Sequence, residues 1–161
     1  MDITVREATL EEGDALLDLW YEFTAHLSAF NDRYEAKEGA DEHWLSYFEN
    51  QLVDSKYSAV LLAENGDGEY VGVLEVRIVG EHPIFQLERH GRIHGMFVRE
   101  SARAEGVGRA LLDAAEDWLR EDPRDVDFYR IDAIEGDDEA AAALEELGLT
   151  PVKHTYEGRV E

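Results

Sequence analysis

The chain has 161 residues, 44% of them hydrophobic, which suits one packed domain burying roughly two-thirds of its unfolded surface. Its 38 acidic residues against 15 basic ones give a formal charge of -23, and there is no cysteine. These numbers exclude nucleic acid as a partner, since phosphate contacts need clustered Lys and Arg, and they exclude disulfides, a thiolate zinc site and a cysteine nucleophile.

The acid is dispersed rather than gathered in a tail: Glu11, Glu12, Asp14 and Asp18, then Asp113, Glu116 and Asp117, then Glu135, Asp137, Asp138 and Glu139. Such a coat points to a salt-adapted, halophilic protein, because the Debye length shrinks to roughly 3 Å near 1 M salt and self-repulsion then falls away. Attraction of a basic substrate is the competing reading. No run approaches the ~18 apolar residues of a membrane span, so no membrane partner is expected. The start, MDITVREATLEEGD, has neither the basic nor the apolar region of a signal peptide, so the expected location is the cytoplasm. No metal is assigned.

In chain order, residues 3–8 alternate apolar and polar and predict a first strand. Thr9 with Glu12 forms a capping box that opens a helix. Along it Leu16, Leu19, Trp20, Phe23, Leu27 and Phe30 recur at three- and four-residue steps. The polar stretch 31–40, broken by Gly39, ends it. A second helix starts near Asp41 with Trp44, Phe48 and Leu52 on one face. Strands at 57–64 and 70–79 are joined by Asn65, Gly66, Asp67 and Gly68, a hairpin signal. The connection 80–90, with Pro83, shows no period. A strand at 92–98 leads through a turn into a helix that Asp122 and Pro123 close. A strand at 126–134, an alanine-rich helix capped by Asp137 or Asp138 and ended by Gly148, and a strand at 150–160 complete the chain. The order β-α-α-β-β-β-α-β-α-β predicts an α/β fold: one domain over 1–161, a mixed, mostly antiparallel sheet flanked by helices.

The chemistry concentrates between 93 and 119. After the strand, Arg103, Ala104, Glu105, Gly106, Val107 and Gly108 form a turn from which two Cβ atoms are missing where a ligand would approach. Val107, Ala110, Leu111, Ala114, Ala115, Trp118 and Leu119 then give a helix face for packing on the sheet. The helix turns its positive end towards the turn, which favours anionic groups, and Arg103 adds a charge at the mouth. A dinucleotide fingerprint would need glycine where Leu111 stands, and a P-loop would need Lys and Ser/Thr where Arg109 and Ala110 stand.

This stretch resembles the GNAT superfamily of acetyl-CoA-dependent N-acetyltransferases. The family's signature, Arg/Gln-x-x-Gly-x-Gly/Ala after a strand and opening a helix, is matched at every defined position from Arg103 to Gly108, and the element order is also that family's. The resemblance implies the acyl-CoA N-acyltransferase fold, with acetyl-CoA as acyl donor. It implies main-chain groups of Phe97 and Val98 on the pantetheine arm, and Arg103, Ala104, Glu105, Gly106, Val107, Gly108, Arg109 and Ala110 around the pyrophosphate. Asp137 stands where many members have Asn near the cofactor. The two early helices and the 80–90 connection would line the acceptor side. His94 is the candidate base, an imidazole that titrates near neutrality, and Glu75 the alternative. Leu144 occupies a position where many members carry a Tyr acid, so water, Tyr129 or Tyr156 takes that role, or the thiolate leaves unaided. The implied reaction is direct transfer in a ternary complex to a small-molecule amine or a peptide N-terminus. A non-catalytic CoA-binding module is the alternative. A homodimer is left open.

Overall fold

The computed structural model describes residues 2–161 and centres on a five-stranded sheet whose strands lie side by side in chain order. β1 (Thr4–Glu7), β2 (Ser58–Glu64), β3 (Tyr70–Val79) and β4 (His90–Val98) pair antiparallel in succession, and β5 (Tyr129–Ile131) joins β4 in parallel. Antiparallel neighbours need only short hairpins. Asn65 builds the one between β2 and β3, its Oδ1 accepting the N–H groups of Asp67 and Glu69 at 3.0 and 2.9 Å while Gly68 takes φ +80. A parallel pair needs a crossover, and α3 (Val107–Arg120) supplies it.

Helices cover both faces of the sheet. Val107, Leu111, Leu112, Ala115, Trp118 and Leu119 of α3 pack on Leu61, Ala63, Leu74, Val76 and Ile93. On the other face lie α1 (Gly13–Ser28) and α2 (Ala40–Tyr47), the latter running on into a π turn at Phe48–Leu52. Their Leu16, Leu19, Phe48 and Leu52 meet Val60 and Leu62. Because β2 is sandwiched between the two clusters, residues 58–63 are buried without alternation.

The predicted capping box is present: the Thr9 N–H donates to Glu12 Oε1 at 2.8 Å, and a 3₁₀ turn at Leu10–Glu12 leads into α1. Glu12 also accepts from Arg6 Nη1 at 2.7 Å and from the Tyr70 hydroxyl at 2.6 Å, so one carboxylate ties β1, the entrance to α1 and β3 together. The Arg6 guanidinium is the main reason its carboxyl is held down at about 2. α3 ends at Arg120, ahead of Pro123, and the buried Arg124 folds back over it, Nε donating to the Trp118 carbonyl at 2.6 Å and the guanidinium lying 4.0 Å from the Trp118 ring.

The C-terminal third differs from the sequence-based expectation. The strand expected at 126–134 is only Tyr129–Ile131. α4 (Asp138–Glu146) forms and ends as predicted at Gly148, φ +96, with Gly148 and Leu149 N–H groups on the Glu145 and Leu144 carbonyls at 3.0 Å each. The strand expected at 150–160 does not form: the stretch has no regular structure, with Val152 68%, Tyr156 90% and Val160 fully exposed. Its apolar residues recur every four positions, so His154 and Gly158 interrupt what would be the inward face of a strand, and nothing is gained by docking it.

Candidate active site

Two irregularities of β4 create an opening beside it, at the end of the sheet where β5 stops short. β4 and β5 pair only from Gly91↔Tyr129 to Ile93↔Ile131, after which β5 stops and β4 continues to Val98. Residues 94–98 therefore present a main-chain edge that β5 does not pair. Opposite this edge lies a bulge: Glu75 pairs with Gly95 and Val76 with Ile93, leaving His94 as the extra residue. Past the bulge, Gly95 and Phe97 face α1. A Cβ on Gly95 would stand 2.8 Å from Phe23 Cε2, and the Phe97 ring centroid lies 5.8 Å from that of Phe23 and 6.1 Å from that of His26.

The turn after β4 supplies main-chain donors beside this gap. Ala104 and Gly106 both take left-handed conformations, φ +65 and +87, within three residues. Such alternation turns successive N–H groups inward into an anion-binding concavity. Gly106 is the N-cap of α3, no side chain caps that helix, and no acid stands in its first turn. That is exceptional in so acidic a chain: α4, by contrast, is capped by Asp137 and opens on Asp138 and Glu139. The first N–H groups of α3 are thus left without intrahelical partners. Nothing stands within 4 Å of a Cβ built on Gly106 or Gly108, so a phosphate could approach closely.

Arg103, expected to add a charge at the mouth, is held by the turn itself. Its Nε donates to the Val98 carbonyl at 3.1 Å and its guanidinium lies 5.7 Å from the Phe97 ring centroid, so it fastens the turn to the end of β4 and engages one of the Val98 main-chain groups. Val107 is buried in the core, while Glu105 and Arg109 are exposed and Ala110 half-buried. Across the gap, Asp137 is buried with both oxygens occupied: Oδ1 accepts the Ala140 N–H at 3.2 Å, and Oδ2 lies 2.7 Å from His26 Nε2.

The titratable groups gather on the α1 and α2 side. Glu75, half-buried beside Gly95, accepts the Tyr47 hydroxyl at 3.3 Å, and Arg77 Nε lies 3.4 Å from the same oxygen. Burial pushes its carboxyl up to about 7. His94 is exposed, and its pKa is lowered first by partial desolvation and then by Arg77 and Arg92, so its imidazole is neutral at pH 7. The two tyrosines considered as acids stand elsewhere. Tyr129 donates to Glu116 Oε2 at 2.8 Å on the α3 face, its pKa raised by burial and by that bond, and Tyr156 projects from the exposed C-terminal stretch. Tyr47, an aromatic of the early helices expected on the acceptor side, meets Glu75 through the position of β3, which the sequence did not reveal.

A β4 left unpaired beyond Ile93 and followed by an uncapped helix N-terminus gives an α/β protein with room for an anionic ligand at that helix. Residues 18–149 match the model of the acetyltransferase (GNAT) family, and the chain belongs to that family. It is 38% identical over 71 residues to an aminoglycoside N(6')-acetyltransferase type 1 of Stenotrophomonas maltophilia, a match spanning 44% of this chain and 46% of that relative. Among solved structures it shares its fold with a mutant of the BH1408 protein from Bacillus halodurans, at 18% identity and a TM-score of 0.80 over 98% of this chain and 99% of the other. It shares it also with AAC(6')-Iy in complex with the bisubstrate analogue CoA-S-monomethyl-acetylneamine, at 16% identity and a TM-score of 0.70 over 100% and 99%.

Proposed function

We propose that the protein is an N-acetyltransferase that moves the acetyl group of acetyl-CoA directly to an amine in a ternary complex. The observation that carries the reading is the uncapped N-terminus of α3, with its left-handed turn, set beside the gap between β4 and β5. The N–H groups from Ala104 to Gly108 would hold the pyrophosphate, with Arg109 and Ala110 completing the turn. Main-chain groups of Phe97 and Val98 not engaged within the protein would hold the pantetheine, and Asp137 lies on the far side of the gap. Acetyl-CoA, when bound, supplies an acetyl group activated as a thioester.

The chain's own contribution is proton transfer and positioning. An amine attacks only when it has lost its ammonium proton, and Glu75, with a carboxyl near neutrality, is suited to take it. The Tyr47 hydroxyl orients that carboxylate. His94, neutral at pH 7, is the second candidate base. The acceptor is an amine-bearing small molecule, for which the aminoglycoside-modifying relative is a precedent, with a peptide N-terminus as the other type. Leu144, which cannot donate a proton, favours one second reading: a CoA-binding module that does not turn over.

The test is calorimetry with acetyl-CoA in molar KCl, followed by a CoA-release screen across amines. Absence of acetyl-CoA binding defeats the proposal, and binding without thiol release on any amine selects the second reading. Glu75→Gln and His94→Gln separate the bases: the one that serves loses turnover and the ascending limb of its pH profile while keeping its CoA affinity.

A further inference from the structure

The register of the sheet brings together three arginines that are far apart in the sequence. Arg77 of β3 pairs with Arg92 of β4, and Arg92 pairs with Arg130 of β5. Val76, Ile93, Tyr129 and Ile131, their chain neighbours, all pack towards the α3 core, so the three arginines form one row on the opposite face, shared with α1 and α2. Like charges directly opposite on a sheet are destabilising. Yet a chain with only 15 basic residues and a net charge of -23 places three of them side by side here.

Internal partners leave the row short of negative charge. Arg77 lies 3.4 Å from Glu75 and 4.9 Å from the Tyr47 ring centroid. Arg92 meets Asp132, whose side chain is 78% exposed. Arg130 forms no ion pair among the described residues. The side chains of Arg77 and Arg92 remain 33% and 29% exposed, open to a ligand. The row begins two residues along β3 from Glu75 and three along β4 from Gly95, roughly 7–10 Å at the rise of a strand.

We infer that the acceptor carries an oxyanion, a carboxylate or a phosphate, which the Arg77–Arg92–Arg130 row grips while the amine lies at Glu75. This rests on the transferase reading and deepens it by naming the substrate class. Guanidinium forks bind such groups bidentately and on a fixed face. The same row disfavours acceptors whose remaining charged groups are all cationic, polyamines and aminoglycosides alike, so the aminoglycoside-modifying relative is a precedent for an amine acceptor and not for its charge. His94 stands in the field of Arg77, Arg92 and Asp132, which places a candidate base and the row at one site.

Three probes of equal length test it: 6-aminohexanoate, 6-aminohexyl phosphate and 1,6-diaminohexane. CoA release should give a kcat/KM for one of the anionic amines that exceeds that of the diamine on the order of tenfold, the scale of one charge-assisted hydrogen bond. Which anionic amine is preferred tells carboxylate from phosphate. In Arg130→Gln that ratio should collapse towards one, and because it is a ratio, partial misfolding does not move it. Calorimetry of the same probes on ligand-free and on CoA-saturated protein gives a second readout. Equal or better use of the diamine, or an unchanged ratio in Arg130→Gln, overturns the inference. With no turnover at all, calorimetry decides by the same criterion. Failure of acetyl-CoA itself to bind overturns the transferase reading instead, while the probe preference on ligand-free protein still judges the row.

Discussion

Replacing Gly106 by alanine separates what the turn needs from what its ligand needs. A Cβ there meets nothing within 4 Å, so no clash arises, but the backbone at φ +87 and ψ 8 is left-handed. Holding an L-residue in that region costs about 1–2 kcal/mol, and the stiffer unfolded chain returns about 0.4–1 kcal/mol. The net loss of about 0.5–1 kcal/mol lowers Tm by about 1–4 °C in a chain of this size. Acetyl-CoA affinity should fall much further if, as proposed, the neighbouring N–H groups receive the pyrophosphate and the added methyl group crowds it. Losing one hydrogen bond to a charged group is worth about 1.5–3 kcal/mol, or about 10–100-fold in Kd. Gly108 is the control. It lies within α3 without a positive φ, and its Cβ site is also open, so Gly108→Ala should add up to about 1 kcal/mol of stability. Calorimetric titration with acetyl-CoA and thermal melts at one KCl concentration measure both quantities. If Gly106→Ala loses stability but binds acetyl-CoA like the wild type, the glycine serves the turn alone and the cradle assignment is wrong.

Three further outcomes follow from the charges. Glu12 has a folded pKa of about 2 against an ordinary 4.5, so its contribution is complete above about pH 4.5 and lost as pH falls through 2. The shift corresponds to about 3 kcal/mol, which the 40% exposure of Arg6 reduces to about 1–2 kcal/mol, and Glu12→Gln should flatten the acid limb of Tm by that much. Glu75 has the opposite sign: its pKa is raised to about 7, so ionising it costs stability as pH rises from 4.5 through 7. Glu75→Gln should therefore melt higher than the wild type above pH 7 while turnover drops about 10²–10⁴-fold, and a variant that melts no higher and turns over like the wild type refutes the assignment of the base. For the whole molecule, the acidic coat predicts a Tm that climbs with KCl towards molar concentrations, and a flat or falling curve removes salt adaptation.

Local chemistry was legible in the sequence wherever one stretch of chain decides it. The Thr9–Glu12 box, the Asn65 hairpin, the glycines at 106 and 108 and the Gly148 stop all declare themselves within six residues, and all appear where expected. What lay beyond reach depends on register. Nothing near Arg77, Arg92 or Arg130 announces that they will be neighbours, since 38 residues separate the last two and only strand pairing aligns them. Tyr47 becomes part of the site only through Glu75. That Arg103 also fastens the turn to β4 shows only when the Val98 carbonyl is seen within its reach. The 150–160 stretch misled for a physical reason: its residues have strand propensity, but the pairing that would reward it also requires an apolar face.

The extra residue in β4 has one more consequence. Gly91 and Ile93 turn towards α3, as do Met96 and Val98, so the strand changes phase between 93 and 96. Its first half is set so that Arg92 faces the acceptor side, and its second half so that Phe97 does. Removing His94 would leave Ile93, Met96 and Val98 on the α3 face and Gly95 and Phe97 on the α1 face by plain alternation, so the bulge itself is what the strand would lose. Ile93 and Met96 thus share a face although an odd number of steps separates them, and only the bulge at His94 allows it.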